Sequence, residues 1–334
     1  MWLLIAVSVF VGFLIVLYLA SPLITPKPLD LKGVHVLVTG GSSGIGKAIA
    51  VEVAQRGANI CLLARNKAKL EEAQSEIEKV LVDKNQQKVI HISVDISKDY
   101  AAVVQAIQQA EEELGPVVLL VNCAGASVAG SFEDLSLNDF KRMIDINYIG
   151  TVHVTRAVIP SMKKNQHGRI VFISSQAGQI GLYGYTAYSG SKFALRGLAE
   201  ALHMELKPYN VYVTLAFPPD TDTPGFAEEQ KSKPEETRLI SETAGLFQPS
   251  VVASSIIKDV VSGRFFSYAG LDGYMLAAVT CGMSPVTSIM EATQQVACMG
   301  IFRIISLFYL DHFDRICRKC KQERSDPSSE KKTS

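Results

Sequence analysis

The sequence predicts a doubly wound α/β fold: a parallel sheet with helices on both faces, preceded by a membrane anchor and followed by apolar helices. Three observations carry that expectation. Between residues 34 and 217, short β-branched runs alternate with longer segments of helical period, the rhythm of consecutive βαβ units. A glycine-rich turn stands between the first run and the first helical segment. From Met1 to Pro26 there is no charged side chain.

Residues 2–20 are a continuous apolar run that, as a helix, reaches about 28 Å, close to the ~30 Å core of a bilayer. Nothing basic precedes it, whereas Lys27 and Lys32 follow, so the positive-inside rule puts Met1 outside or in a lumen and the bulk of the chain in the cytosol. The alternatives are a cleaved signal, which would start with basic residues, and a buried core helix. Residues 1–25 are therefore expected to be the anchor.

Strands are expected at 34–39, 59–64, 88–94, 117–121, 169–174 and 211–217, with helices at 45–56, 67–80, 100–114 and 187–206. Together these make residues 32–265 one catalytic domain. Residues 218–249 are polar and contain prolines; so long a connection inside a domain is more often a substrate lid than a linker. Between 270 and 310, the apolar stretches 274–290 and 296–310 are bounded or interrupted by Pro285, Glu291 and Arg303. They suit spanning or membrane-dipping segments, interfacial helices, or a tunnel or dimer helix. A polar cytosolic tail is expected over 311–334. It ends Lys331-Lys332-Thr333-Ser334, which resembles the di-lysine retrieval address of endoplasmic-reticulum membrane proteins, although an ordinary solvated tail reads the same way.

Composition narrows the class further. Lys+Arg and Asp+Glu both count 33, so the formal net charge is zero, which argues against gripping nucleic acid by bulk charge. With 48% apolar and 20% charged residues, intrinsic disorder is excluded for the bulk of the chain. The six cysteines show no disulfide-framework spacing, and Cys317-x-x-Cys320 has no second pair or nearby histidine, so no metal site is expected. Lipidation, or no special role, suits that juxtamembrane pair better.

After the first strand comes Thr39-Gly40-Gly41-Ser42-Ser43-Gly44-Ile45-Gly46. Glycines let the backbone turn sharply and approach a pyrophosphate, while the helix that follows offers free N–H groups and a favourable dipole. Gly40, Ser42, Ser43, Gly44, Ile45 and Gly46 are thus the candidate phosphate cradle of a Rossmann-type cofactor site. The second strand ends Ala64-Arg65 without the acidic residue that holds an adenosine ribose in NAD enzymes, and Lys69 follows one turn later. A guanidinium suits a 2′-phosphate, so NADPH is the expected cofactor. Asp95, ending the third strand, is expected at the adenine edge or as a helix N-cap.

Thr39–Gly46, Asn122-Cys123-Ala124-Gly125, Asn147, Ser174-Ser175 and Tyr188-x-x-x-Lys192 together resemble the short-chain dehydrogenase/reductase family. Cys123 stands where the family usually has asparagine. Tyr188 and Lys192 are four apart in a helical segment and share one face. The resemblance implies ketone reduction with Tyr188 as proton donor and Lys192 beside it, drawing the phenol toward neutral pH and holding the nicotinamide ribose. It also implies a serine that polarises the carbonyl: spacing favours Ser175, with Ser174 left open. Asn147 is expected to position a proton-relaying water, and Asn122 to contact the cofactor.

Stretches 174–179, 207–212 and 218–229, with the two apolar ends, resemble lipid-reducing members of that family. They imply a long-chain keto amino lipid taken from the membrane in sphingolipid synthesis. Asp220 and Asp222 are then candidates to attract its ammonium, or merely loop hydrogen-bonding groups. A membrane-bound retinoid or steroid dehydrogenase is the alternative enzyme, and an idle NADP-binding scaffold the alternative of another class. Relatives pair through helices near 138–159 and 187–206, which gives the expectation of a homodimer.

Overall fold

Residues 2–20, 24–243 and 245–325 are described by the computed structural model. The alternating runs fold as parallel strands: β1 (His35–Thr39), β2 (Asn59–Ala64), β3 (Val89–Ser93), β4 (Val117–Asn122), β5 (Gly168–Ile173), β6 (Val211–Phe217) and β7 (Phe266–Tyr268). Their order is β3-β2-β1-β4-β5-β6-β7. The chain therefore reverses direction across β1 and β4, the switch point outside whose carboxyl ends such sheets bind ligands.

Both faces of the sheet are covered, which is why β1 and β5 are buried along their whole length. On one face α2 (Gly44–Ala54), α3 (Lys67–Glu78) and α10 (Pro249–Val261) pack on Val36, Val38, Ile60 and Leu62. On the other, α4 (Tyr100–Leu114), α6 (Gly150–Asn165) and α7 (Thr186–Leu206) enclose Leu37, Leu120, Phe172 and Phe217. Each large apolar side chain so buried contributes roughly 1.5–3 kcal/mol. β7 was not among the expected strands; three residues are too few to show a period, and pairing of Leu215 with Phe266 places them.

Helix α1 (Trp2–Ala20) runs alongside the last helix of the chain, with Trp2, Val9, Val16 and Leu19 exposed. The segment after it is fastened to the domain: Leu29 N donates to Val261 O at 2.9 Å, and Arg169 Nη2 donates to Lys27 O at 2.7 Å.

Two regions differ from expectation. The polar insertion is not structureless but holds two short helices, α8 (Pro224–Gln230), capped by Thr223, and α9 (Glu235–Glu242). At the C-terminal end there is one long apolar helix rather than two similar segments. Helix α11 (Gly270–Val279) is short and buries Gly273, Ala277 and Ala278 on the domain. Helix α12 then runs unbroken from Ile289 to Ser325, through the first part of the expected polar tail. The pairs Arg315–Asp311 and Lys319–Glu323, spaced i,i+4, support that extension. Among the described residues α12 is long and apolar enough to cross a membrane. Lys331 and Lys332 lie outside the described residues.

Candidate active site

One cavity of about 750 Å³ opens at the carboxyl ends of the strands. At its floor is the turn after β1. Gly40 has φ +66, and a Cβ there would lie 2.8 Å from Ala124 Cα, so only glycine lets the turn pass under the β4 loop. A Cβ on Gly46 would lie 2.4 Å from Gly40 O. Helix α2 begins with no side-chain cap and no acidic residue in its first turn, which leaves its N–H groups available to an anion. Thr39 Oγ1 ties the turn to the neighbouring loop by accepting from Cys123 N and Ala124 N, both at 3.0 Å. No residue of the expected set pointed to Thr39 in that role.

Arg65, exposed at the end of β2, lines the same cavity with Lys69 and Asp95. Asn66 caps α3 by accepting from Lys69 N at 3.0 Å. Asp95 accepts from Ser97 N and Ser97 Oγ at 3.1 and 2.7 Å, so it closes a turn while Asp99 caps α4. Partial burial would raise the Asp95 carboxyl, but Ser97 and the nearby Arg65 hold it below its ordinary value. The cradle that a Cβ would fill, the uncapped helix end and the cationic strand end together fit a phosphorylated dinucleotide.

Above the cradle, α7 presents Tyr188 and Lys192 on one face. The Tyr188 hydroxyl is hydrogen-bonded with Ser175, and Ser175 Oγ also accepts from Ala177 N at 3.1 Å. Ser174, although it reaches the cavity, donates to Lys192 O at 3.0 Å and so fastens the loop to the helix. Lys192 Nζ donates to Ile173 O at 2.8 Å and lies 5.7 Å from the Tyr188 ring centre. The ammonium is thus aimed at the strand end rather than at the phenol oxygen. Consistent with that aim, Tyr188 is not drawn toward neutrality: burial pushes its phenol up, Glu229 and Asp220 add to the shift, and only the Ser175 hydrogen bond opposes it. Burial lowers Lys192 to about 8.

Asn147 stands one layer behind. A π-helical turn over Asp145–Ile149 joins α5 (Leu137–Ile144) to α6 and turns this side chain inward. Its Oδ1 accepts from Ala126 N, and its Nδ2 donates to Ala126 O and Ser191 Oγ, all at 2.9 Å. Thr151 Oγ1 donates to its carbonyl at 2.9 Å. Its polar groups are therefore engaged within the protein, holding the loop opposite Lys192. Asn122 is not brought to the cavity wall: its Nδ2 donates to Thr155 Oγ1 at 3.0 Å. No group of histidine, cysteine and acidic side chains able to hold a metal occurs among the described residues.

A consequence for pH follows from Lys192. Its pKa is depressed, so the ammonium is the form lost first as pH rises: charged below about 8, neutral above it. Cofactor affinity, read from nicotinamide fluorescence, is expected to weaken severalfold between pH 7 and 9.5, with a midpoint near 8. A flat profile would remove Lys192 from cofactor binding.

The wall from α11 and α12 is mostly apolar, through Met275, Leu276, Val279, Phe302, Ile305 and Tyr309, with Asp272, Arg303 and Ser306 also on it. Tyr274 packs edge-on against Phe302, with centroids 5.5 Å apart. Residues of α8, α9 and the turns beside them line the same space. Thr237 Oγ1 of α9 donates to Tyr183 O at 2.8 Å, and the buried Glu236 pairs with Arg324 near the end of α12. The far end of α12 is thereby fixed to α9.

The short chain dehydrogenase family model matches residues 34–234, and the chain belongs to that family, whose members are oxidoreductases that bind a nicotinamide cofactor. Its curated relatives include the 3-dehydrosphinganine reductase of Danio rerio, 60% identical over 96% of this chain and 97% of that one. The 3-ketodihydrosphingosine reductase of Bos taurus is also 60% identical, over 99% of both chains. The Arabidopsis thaliana 3-dehydrosphinganine reductase TSC10A is 40% identical over 86% of this chain and 87% of its own. Among solved structures, levodione reductase superposes with a TM-score of 0.66 at 22% identity, covering 74% of this chain and 99% of that one. That likeness shows the fold alone.

Proposed function

We propose that the chain reduces 3-ketodihydrosphingosine to dihydrosphingosine with NADPH, at a membrane surface. The observation that carries this reading is one cavity with a phosphate cradle and a Ser–Tyr–Lys set at one end and a mostly apolar wall from α11 and α12 at the other. Near-full-length relatives bearing that activity in their names support it.

When bound, the cofactor supplies a hydride to the carbonyl carbon. Tyr188 gives its phenolic proton to the carbonyl oxygen, and its raised pKa keeps that proton in place across the neutral range. Ser175 donates a hydrogen bond to the same oxygen as negative charge develops. Lys192 holds the nicotinamide ribose hydroxyls, while Ser174 and Asn147 fix the loops on which these groups stand. Arg65 and Lys69 receive the 2′-phosphate.

Helix α12 explains how a bilayer-dwelling substrate reaches such a site. Phe302, Ile305 and Tyr309, spaced i, i+3 and i+7, face the cavity, whereas Val296, Ile301, Ile304, Leu307 and Phe308 are exposed. A helix apolar on both sides is a wall between the cavity and lipid. We assign the exposed side to the membrane interface, with α8 and α9 as the lid over the chain entrance. Lys27 and Lys32 directly after α1 support a cytosol-facing domain.

Arg65→Asp tests the cofactor assignment. It is expected to weaken NADPH by about 10- to 100-fold relative to NADH in kcat/KM, since it replaces a charge-assisted contact with repulsion. An unchanged NADPH:NADH ratio would refute the 2′-phosphate role. Profiling retinoid and steroid ketones against the long-chain amino ketone separates the lipid reading from its alternative.

A further inference from the structure

The lid carries a buried charge cluster that the reaction scheme leaves unused. The Lys233 side chain, between α8 and α9, is wholly buried. Its Nζ lies 3.1 Å from Glu229 Oε1 and 3.6 Å from Asp220 Oδ2, and donates to Ser241 Oγ at 3.2 Å. The Phe226 and Tyr185 rings flank it at 4.8 and 5.7 Å. Glu229 also accepts from the Tyr185 hydroxyl, and the Tyr185 ring packs 5.5 Å from that of Tyr188. The cluster therefore adjoins the reacting tyrosine, and its members Asp220, Glu229 and Ser241 line the substrate cavity.

The charges do not balance. Two carboxylates share one ammonium, and among the described residues no second cation lies within ion-pair reach of either. A net negative charge in so enclosed a place is costly unless a ligand supplies the missing cation. The two acids are not equivalent. Glu229 is nearly fully buried and satisfied by Lys233 and Tyr185, whereas the Asp220 side chain keeps 28% of its surface and makes the longer contact. Burial pushes the Asp220 carboxyl up, Lys233 only partly opposes this, and Glu229 adds to it. Position is fixed as well: Phe247 N donates to Asp220 O at 2.9 Å, directly after β6. Asp222, the other candidate from the sequence, does not line the cavity.

A 2-amino-3-ketone carries its ammonium on the carbon beside the reacting carbonyl. Tyr188, Asp220 and Glu229 line one cavity, and both acids act on the Tyr188 phenol, so a ketone held at Tyr188 would bring its ammonium toward this cluster. We propose that Asp220 receives the substrate's ammonium, with Lys233 as the internal cation that keeps Glu229 paired; the assignment rests on the keto-amino-lipid reading above. Asp220 is then the residue that selects an amino ketone over a neutral lipid ketone.

The test measures kcat/KM, with NADPH saturating, for 3-ketodihydrosphingosine and for the same long-chain ketone lacking the amino group. Wild type, Asp220→Asn and Asp220→Glu are compared as full-length protein in detergent, and NADPH fluorescence confirms that each is folded. Wild type is expected to prefer the amino ketone. Asp220→Asn is expected to lower the amino-to-des-amino ratio by about 10- to 100-fold, chiefly through KM, and Asp220→Glu to restore most of it. Equal loss on both ketones would show a structural role and overturn the proposal, as would an unchanged ratio. A wild type that reduces both ketones equally overturns the subsite while leaving ketone reduction standing; one that reduces neither overturns both.

Discussion

Tyr188→Phe is expected to lower kcat on the long-chain ketone by about a thousandfold or more, with NADPH affinity within severalfold of wild type. The ring survives the substitution, so its packing against Tyr185 at 5.5 Å and its place over Lys192 are kept. What disappears is the hydroxyl that reaches the cavity and is hydrogen-bonded with Ser175. Because burial, Glu229 and Asp220 hold that phenol above its ordinary value, it is loaded with its proton at neutral pH, the state a ketone reduction consumes. Single-turnover rates at saturating NADPH isolate the step. Ser175→Ala should fall in the same direction through lost oxyanion stabilisation, by about a hundredfold. A Tyr188→Phe protein that turns over within tenfold of wild type would remove the tyrosine from the chemistry.

Gly46→Ala carries the second large effect, this time on binding. Its added Cβ would meet Gly40 O at 2.4 Å and Gly40 C at 2.9 Å, and both are backbone atoms that no rotamer change can move aside. Either the turn or the first turn of α2 must shift, and the cradle is made of the backbone N–H groups of those two pieces. A loss of about a hundredfold in NADPH affinity is expected, measured by fluorescence titration, together with a lower melting temperature. Affinity within threefold of wild type would mean that the phosphates lie elsewhere.

The parts of this site legible in the sequence are those whose members are close along the chain. The turn from Thr39 to Gly46 lies within one strand–helix junction, and Tyr188 and Lys192 lie within one turn of α7. Ser174 and Ser175 are adjacent, so spacing favoured Ser175 but left Ser174 open; the fold separates them, sending Ser174 to Lys192 O and Ser175 to the Tyr188 hydroxyl. What stayed hidden is assembled from distant elements. Asp220 was a candidate from the sequence and Glu229 and Lys233 are spaced i,i+4, but nothing along the chain links that pair to Asp220 after β6 or to Tyr185 in the loop before α7. The π-helical turn that aims Asn147 leaves no periodic trace over five residues.

Helix α12 shows a different limit. Arg303 and the charges after Leu310 broke the apolar pattern, yet the backbone continues to Ser325, supported past Leu310 by the i,i+4 pairs Arg315–Asp311 and Lys319–Glu323. Hydropathy alone predicts a polar tail from 311, but the helix carries on through its first part. That continuity carries Arg324 to Glu236, so one helix both lines the cavity and holds α9.

The account stands most directly on product formation by purified full-length protein given NADPH and 3-ketodihydrosphingosine. It predicts one dihydrosphingosine formed for each NADPH oxidised, and loss of that product in Tyr188→Phe. NADPH oxidation without dihydrosphingosine, or the same yield from the variant, would contradict it.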